Sequence, residues 1–144
     1  SWQDILSGLG WGLGNAGMPH IIIRFMSVKS DKEHKKAAKV GFDWPDVSGA
    51  LDKVEEELAE VRAAIGGDGD VEEEIGDLIF AVTNVSRFVK VDSERAAEKT
   101  CNKFVRRFAD MEQQAKAQGR QLSELTLEEM DALWDEAKKK EHRE

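Results

Sequence analysis

The sequence predicts an all-α domain of four to five helices that form a helical bundle. In successive segments the apolar residues recur at spacings of three and four, which is the pattern of amphipathic helices. Turn-forming stretches separate these segments, as at Gly41–Pro45 and at Gly66–Asp70. A chain of 144 residues is long enough for one domain with a core of its own.

The composition limits the classes of partner. A net charge of −8 at pH 7 argues against a nucleic-acid backbone, which needs a basic surface. No apolar run approaches the roughly 18 residues that span a bilayer, so we expect no membrane partner. The single cysteine, Cys101, excludes an internal disulfide and is typical of a reducing compartment. These features favour the cytoplasm.

Residues 1–29 differ from the rest of the chain because they are rich in glycine and then apolar at Ile21–Ile23. Glycine is a poor helix former, so this segment is predicted to be a linker or a docking tail. The first helix is expected to begin near Ser30 or Asp31 and to end before Gly41. The domain would then occupy residues 30–140, and residues 141–144 would form a charged tail.

The next segment is predicted to be a helix that carries acidic residues beside its apolar stripe. Asp46 or Ser48 is suited to cap its start. At about 100° per residue, Glu57 and Glu60 fall together on one flank of the stripe. The stripe consists of Leu51, Val54, Leu58, Val61 and Ile65.

A second acidic helix follows the break at Gly66–Asp70. Glu74 and Asp77 lie together on the flank of its stripe. A short connection favours antiparallel packing, which would bring the two acidic pairs across from each other. The second stripe consists of Val71, Ile75, Leu78, Val82, Val85 and Val89.

Four carboxylates that meet in a half-buried site repel one another unless protons or cations neutralise them. Carboxylate oxygens suit hard ions, so Mg²⁺ is the expected ligand and Mn²⁺ a substitute. Iron is disfavoured because no histidine forms a Glu-x-x-His pair. A calcium loop from Asp68 fails because its sixth and twelfth positions are Glu73 and Ile79. The alternative is that these acids form a solvated helix face.

A third long helix is predicted from Asp92 or Ser93, and Gly119 ends it. Cys101 falls in its apolar stripe, which predicts a buried structural thiol. Lys103 and Arg107 share one flank, whereas Arg106 points further away. The stripe consists of Ala97, Cys101, Phe104, Phe108, Met111 and Ala115.

The last predicted helix opens with a capping box formed by Thr126 and Glu129. Leu127, Met130 and Leu133 supply its apolar side chains. Trp134 follows at helical spacing, where a tryptophan usually packs in a core.

The sequence resembles the MazG family of all-α nucleoside triphosphate pyrophosphohydrolases. Glu56-Glu57-x-x-Glu60 followed by Glu74-x-x-Asp77 is similar to the EExxE…ExxD signature of that superfamily. The resemblance covers roughly residues 36–139. Further matches are Val40-Gly41-Phe42-Asp43-Trp44, Asp52-Lys53-Val54, Glu73-Glu74-Ile75-Gly76-Asp77-Leu78, Lys103-Phe104, Arg106-Arg107-Phe108 and Leu133-Trp134.

The resemblance implies Mg²⁺-dependent cleavage of a nucleoside triphosphate between the α- and β-phosphates, giving a monophosphate and pyrophosphate, in nucleotide-pool house-cleaning. The metal ligands would be Glu57, Glu60, Glu74 and Asp77. Glu56, or a ligand such as Glu57 that is freed from the metal, would take the proton of the attacking water.

The substrate would be bound by residues from several segments. Lys53 would touch a phosphate, or else only pair with Glu57 one turn away. Lys103 and Arg107 would face the carboxylates and grip phosphates. Trp134 would stack on the base, and Trp44 would lie near the nucleotide or in the core. Because relatives build their bundle from two chains, we expect dimerisation to complete the bundle, and the homodimer can pair further.

Two other hypotheses about the function remain open at this point. One is a relative with a narrower substrate, such as dCTP, dUTP or phosphoribosyl-ATP. The other is a helical nucleotide-binding or regulatory module that has lost catalysis.

Overall fold

The computed structural model describes the backbone of residues 18–143 and the side chains of residues 29–143. Within this part of the chain there are five α-helices, one short 3₁₀ helix and no strand, so the all-α prediction is confirmed. Of the predicted N-terminal segment at residues 1–29, the first 17 residues lie outside the described part of the chain. The helices are α1 (Met18–Lys39), α2 (Val47–Ile65), α3 (Val71–Phe88), α4 (Ser93–Ala117) and α5 (Leu127–Glu141), with the 3₁₀ helix at Leu122–Glu124.

The described part of the chain divides into two compact units, one ending at Ala96 and the other beginning at Ala97. The first contains α1, α2 and α3 and is called the hairpin unit here. The second contains most of α4 together with the 3₁₀ helix and α5, and is called the C-terminal unit.

The start of α1 corrects the sequence prediction, because the helix begins at Met18 and not near Ser30. Proline is tolerated in the first turn of a helix, where an N–H has no intrahelical partner, so Pro19 does not prevent an early start. The helix ends at Lys39, before Gly41, as predicted. Gly41 then adopts a φ of 84°, which is the left-handed conformation that favours glycine after a helix.

Two capped helices form the hairpin of the first unit. Asp46 caps α2 by accepting a hydrogen bond from the Ser48 N–H at 2.8 Å, as predicted. Asp70 caps α3 by accepting one from the Glu72 N–H at 2.9 Å. Between them Gly67 has a φ of 106°, which a residue with a side chain rarely adopts. Local chemistry therefore sets where both helices of the hairpin begin.

The hairpin is packed mainly through small side chains. Its buried apolar residues are Ala50, Val61, Ala64 and Ala81. The segments that carry the predicted apolar stripes are helical. The larger side chains of these stripes, however, are not buried within the described chain, and Leu58, for example, is 43% exposed. Alanines let two helices approach closely, so the larger residues lie on faces that this pairing does not bury. Exposed stripe members are Leu51, Leu58, Ile65, Val71, Ile75, Val82 and Val89.

Helix α1 packs against α3 and closes one side of the hairpin unit. The hydroxyl groups of Ser30 and Thr83 are hydrogen-bonded. Further along, the His34 ring lies against the Phe80 ring with centroids 4.0 Å apart, and His34 Nε2 is 3.2 Å from the Phe80 carbonyl oxygen. These contacts hold α1 beside the middle of α3.

The C-terminal unit has a core of larger residues, namely Met111, Ala115, Leu125 and Leu133. As predicted, Gly119 follows the end of α4 with a φ of 69°. The Arg120 N–H donates to the Ala115 carbonyl across this turn, at 3.0 Å.

The start of α5 also agrees with the sequence prediction. The Thr126 side chain accepts from the Glu129 N–H at 3.2 Å, and Glu129 accepts from the Thr126 N–H at 2.8 Å. The helix continues to Glu141, the first residue of the predicted charged tail.

The prediction of a buried Cys101 thiol is wrong, because Cys101 is exposed. The core of the C-terminal unit is built on the second half of α4, from Phe108 onward. An apolar stripe identifies a helix face, but whether a given residue on that face is buried depends on what packs there.

Among the described residues, no helix is both long enough and apolar enough to cross a membrane.

Candidate functional site

Three carboxylates of the hairpin unit meet between α2 and α3. Oxygen atoms of Glu57, Glu74 and Asp77 all lie within 4.8 Å of one another. Glu57 projects from α2, and the other two lie one turn apart on α3. Two antiparallel helices therefore bring together acids that are separated by the whole hairpin turn in sequence. All the donors are carboxylate oxygens, which Mg²⁺ and Mn²⁺ prefer.

Glu57 is the most buried member, with 4% of its surface exposed. Its Oε1 atom accepts from Lys53 Nζ at 2.5 Å. Its Oε2 atom is buried and has no hydrogen-bond partner in the described chain. A buried carboxylate oxygen without a partner is costly, and here the nearby groups include two further acids. A divalent cation among these oxygens fits this arrangement.

Glu60, the fourth predicted ligand, is exposed beside Glu57. A hydrogen bond with the Glu57 carboxyl raises the pKa of Glu60, and the charges of Glu57 and Glu74 act in the same direction. The neighbouring carboxylates therefore disfavour the charged form of Glu60. The structure thus brings Glu57, Glu74 and Asp77 together and leaves Glu60 at the edge of the cluster.

Lys53 is the cation beside this cluster. It pairs with Glu57 one turn away and with Glu56 Oε1 at 3.0 Å, so the simpler role foreseen for it is present. Hydrogen bonds to Glu57 and Glu56 raise the pKa of Lys53 above its usual value, and it remains charged at neutral pH. Glu56, the predicted proton acceptor, is largely exposed on the other side of Lys53. Its catalytic role stays a prediction.

A cavity of about 670 Å³ opens beside the acids within the hairpin unit. This volume lies in the usual range of small-molecule sites. Four predicted site residues line it, together with side chains from α1 and from the segment between α1 and α2. The four are Trp44, Lys53, Glu57 and Asp77.

Trp44 lies at the cavity as a half-exposed ring. A Cβ atom placed on Gly49 would come within 2.8 Å of Trp44 Cδ2, so only glycine leaves room for the ring over the start of α2. Sequence reasoning missed this use of Gly49. Trp44 is therefore not a core residue of the described chain.

Three polar residues near the cavity were also missed. Arg87 donates through Nη2 to both oxygens of Asp43, at 2.6 and 2.8 Å, and through Nε to Asn84 Oδ1, at 2.9 Å. The hydrogen bond from Arg87 lowers the pKa of Asp43. Asn84 is 8% exposed, and it lies two turns after Asp77 on the same face of α3. The sequence did contain one signal for Asn84, because a polar amide two turns after Asp77 on the same helix face needs a hydrogen-bond partner if that face is buried.

His34 lines the cavity from α1. Burial lowers the pKa of His34, and the hydrogen bond to the Phe80 carbonyl opposes this effect only in part. The ring is consequently an uncharged, flat wall at neutral pH. No sequence pattern marked His34 as a residue of this cavity.

The remaining predicted residues belong to the C-terminal unit. The Arg107 side chain is 12% exposed, pairs with Glu141 Oε2 at 2.8 Å and lies 5.4 Å from the Trp134 ring centroid. Arg106 is 64% exposed, and its Nη2 atom lies 3.8 Å from Oε1 of the same Glu141. Lys103 is half-buried. That Lys103 and Arg107 face the carboxylates stays a prediction.

Comparison with known proteins gives matches over most of the chain. Residues 47–111 match the family model described as the MazG nucleotide pyrophosphohydrolase domain. The chain is 45% identical over 104 residues to the nucleoside triphosphate pyrophosphohydrolase/pyrophosphatase MazG of Thermotoga maritima, covering 72% of this chain and 40% of that protein. It is 37% identical over 118 residues to the nucleoside triphosphate pyrophosphohydrolase of Escherichia coli K12, covering 79% and 45%.

A shorter match is of another kind. Over 44 residues the chain is 54% identical to a sodium/proline symporter of Staphylococcus aureus strain USA300, which covers 31% of this chain and 9% of that protein.

The chain spans less than half of the length of the two pyrophosphohydrolases. The family model covers α2, α3 and the first part of α4, which includes all four acids of the predicted metal site. Residues 47–111 thus match the MazG nucleotide pyrophosphohydrolase domain, and the similarity to the two pyrophosphohydrolases extends over 104 and 118 residues of the chain.

Proposed function

We propose that this chain hydrolyses nucleoside triphosphates to a nucleoside monophosphate and pyrophosphate, in a reaction that needs Mg²⁺. The observation that carries the proposal is the buried Oε2 atom of Glu57, which lacks a hydrogen-bond partner and lies among further carboxylates. A protein gains nothing in stability from such a group. It is explained if a cation occupies the site during function.

The ligands of this metal would be Glu57, Glu74 and Asp77, joined by Glu60 from the edge of the cluster. A bound Mg²⁺ supplies positive charge at the phosphate oxygens and lowers the pKa of a water molecule. Mn²⁺ has similar ligand preferences and is expected to substitute. The four acids and Lys53 give the site a net negative charge, which disfavours triphosphate binding until the metal is present.

The other residues would act on the substrate and on the attacking water. Lys53 holds Glu57 in position through its short ion pair and offers a positive charge to a phosphate. Glu56 would accept the proton of the water that attacks the α-phosphate. Lys103 and Arg107 would stabilise the negative charge of the phosphates and of the leaving pyrophosphate.

Tryptophans would contact the base. Trp44 lines the cavity of the hairpin unit, and its ring is available to a planar ligand. Trp134 lies beside Arg107, which places an aromatic ring next to a proposed phosphate ligand. Either ring would contribute stacking energy of about 1–3 kcal/mol to base binding.

A homodimer would complete the helical bundle. The hairpin exposes large apolar side chains along both helices, for example Leu58, Ile75 and Val82. Apolar residues repeated along exposed helix faces are typical of an interface between chains. We further propose that the enzyme works in the cytoplasm, where it would remove unwanted nucleotides from the pool.

The test is release of pyrophosphate from a panel of ribo- and deoxynucleoside triphosphates. We expect activity with Mg²⁺ or Mn²⁺, none with EDTA, and a loss of at least about 100-fold in Glu57→Gln and Asp77→Asn, since even groups behind the ligands typically contribute 10- to 100-fold. The control is Glu55→Gln, which removes an exposed acid from the same helix.

The control variant is expected to keep wild-type activity. Release that survives EDTA, or that is unchanged in both ligand variants, would refute the metal-dependent mechanism. If Mg²⁺ and nucleotide bind together but no pyrophosphate forms, the chain is a binding module and the proposed activity is wrong.

A further inference from the structure

The cavity of the hairpin unit has two chemically different ends. Along α3 its lining residues follow one face, beginning at Asp77 and reaching Asn84 two turns later. Along α2 the lining runs in the opposite direction, from Glu57 to Ala50. At 1.5 Å per residue, the path from Asp77 to Asn84 is about 10 Å long. The acids therefore lie at one end and Asn84 at the other.

The end that contains Asn84 is shaped for a flat, mostly apolar group. Ala50 and Ala81 are 1% and 6% exposed, and their small side chains leave space above the two helices. Trp44, Phe80 and His34 supply aromatic rings at the sides. Aromatic walls with a few polar groups are typical of sites that hold a planar ring.

Asn84 is the buried polar group at this end, and its orientation is set by its neighbours. Arg87 Nε donates to Asn84 Oδ1, and arginine has no acceptor, so the amide oxygen must face Arg87. Arg87 is itself held by the two hydrogen bonds from Nη2 to Asp43. The part of Asn84 that remains for a ligand is its NH₂ group, which only donates.

We infer that the Asn84 end of the cavity binds the nucleobase, and that the Asn84 amide donates a hydrogen bond to a carbonyl oxygen of that base. The inference rests on the proposed function for the direction of the substrate, with phosphates at the acids. Uracil, thymine, cytosine, guanine and hypoxanthine carry such an oxygen, whereas adenine carries none. Asp43 and Arg87 are positioning residues, because they keep the amide oxygen turned away from the ligand.

The sharpest test compares two purines that differ in the group at position 6 and, with it, in the proton on N1. Inosine monophosphate has a carbonyl at position 6, and adenosine monophosphate has an amino group there. We measure the binding of each to the wild-type protein by calorimetry, without turnover. One hydrogen bond predicts about tenfold tighter binding of inosine monophosphate, which corresponds to about 1.4 kcal/mol.

Variants at Asn84 and Asp43 show whether the amide is responsible. Asn84→Ala is expected to bind both monophosphates equally, and Asn84→Asp, which presents an acceptor, is expected to prefer the amino group of adenosine monophosphate. Asp43→Asn loosens Arg87 and is expected to reduce the ratio without abolishing it. The helical signal and melting temperature of each variant are measured alongside.

The wild-type comparison needs no variant, so it remains decisive if a substitution impairs folding. Equal binding of the two monophosphates by the wild type, or a tenfold ratio that persists in a folded Asn84→Ala variant, would overturn the inference. Discrimination between the monophosphates without any pyrophosphate release from triphosphates would support the base site and refute only the proposed activity.

Discussion

Two carboxylates, one in each unit, each have one buried oxygen without a hydrogen bond but differ in what surrounds them. Glu57 Oε2 and Glu141 Oε1 are both buried oxygens without a hydrogen bond in the described chain. Around Glu141 the neighbours are cations, with Arg107 at 2.8 Å and Arg106 at 3.8 Å. The hydrogen bond from Arg107 lowers the pKa of Glu141. Around Glu57 the neighbours are mainly other acids.

This difference shows that a buried carboxylate oxygen without a hydrogen bond indicates a cation site only where its neighbours are also negatively charged. In the C-terminal unit, Arg106 and Arg107 neutralise the charge of Glu141, so this carboxylate has a structural role. In the hairpin unit a single lysine, Lys53, lies beside several acids. The remaining positive charge needed to neutralise them has to come from a bound cation. The cores differ in parallel, since the hairpin packs through alanines and the C-terminal unit through methionine and leucines.

The largest expected effect concerns the core of the C-terminal unit. Leu133→Ala should lower the free energy of unfolding by about 3 kcal/mol, because it leaves a cavity among large neighbours. Leu127→Ala, at a residue 71% exposed on the same helix, should change it little. Chemical denaturation monitored by helical signal measures both. Equal effects would show that the C-terminal core is not organised as described.

The second prediction separates the two carboxylate environments by their response to metal. At 100 times its dissociation constant, Mg²⁺ should stabilise the wild type by about 2.7 kcal/mol. Asp77→Asn should lose most of this gain, whereas Glu141→Gln should keep it. The measurement is the melting temperature across a Mg²⁺ titration. An undiminished shift in Asp77→Asn would place the metal elsewhere.

A smaller effect is expected when charges are removed without metal. In EDTA, Asp77→Asn should stabilise the chain by about 0.3 kcal/mol, because it relieves repulsion among neighbouring acids. Glu141→Gln should destabilise it, because Arg107 loses its charged partner. Thermal unfolding of both variants beside the wild type shows the two directions. If both variants shift the melting temperature in the same direction, the two carboxylates do not differ in their charge environment as described.

The smallest expected effect concerns the ion pair between Asp43 and Arg87, in which both charges of the hairpin unit have a partner. Because Arg87 lowers the pKa of Asp43 in the folded chain, the pair stabilises above the unfolded-state pKa of about 4, and this contribution is lost as pH falls through the folded-state pKa. Asp43→Asn should therefore melt below the wild type at pH 7, and the difference should vanish in strong acid. A difference independent of pH would mean that packing, and not charge, holds Asp43.

Features that depend on a few consecutive residues were predictable from the sequence. The Asp46 cap, the capping box at Thr126 and the stop at Gly119 all involve groups within five residues of one another. Helical spacing also put Glu57 on the flank nearest the second helix. These interactions form within one turn of helix, so their geometry is known once the helix is known.

Apart from the approach of the acids on the two hairpin helices, features that need a partner from another element were not predictable. Cys101 lies on an apolar stripe yet is exposed, because the core of its unit begins further along α4. Asp43 and Arg87 are 44 residues apart, and no periodicity links them. Trp44 over Gly49 also depends on how the segment between α1 and α2 folds back.

The sequence by itself determined that this chain is helical, where most of its helices begin and end, and that two pairs of acids lie on the flanks of neighbouring helices. Capping and helical periodicity are local, so they can be read without a fold. Only the tertiary structure decided that Glu57 is buried with an unpartnered oxygen, and that Asn84, Arg87 and Asp43 form one network beside a cavity. Burial and long-range hydrogen bonds depend on which surfaces meet, and a one-dimensional pattern does not contain that information.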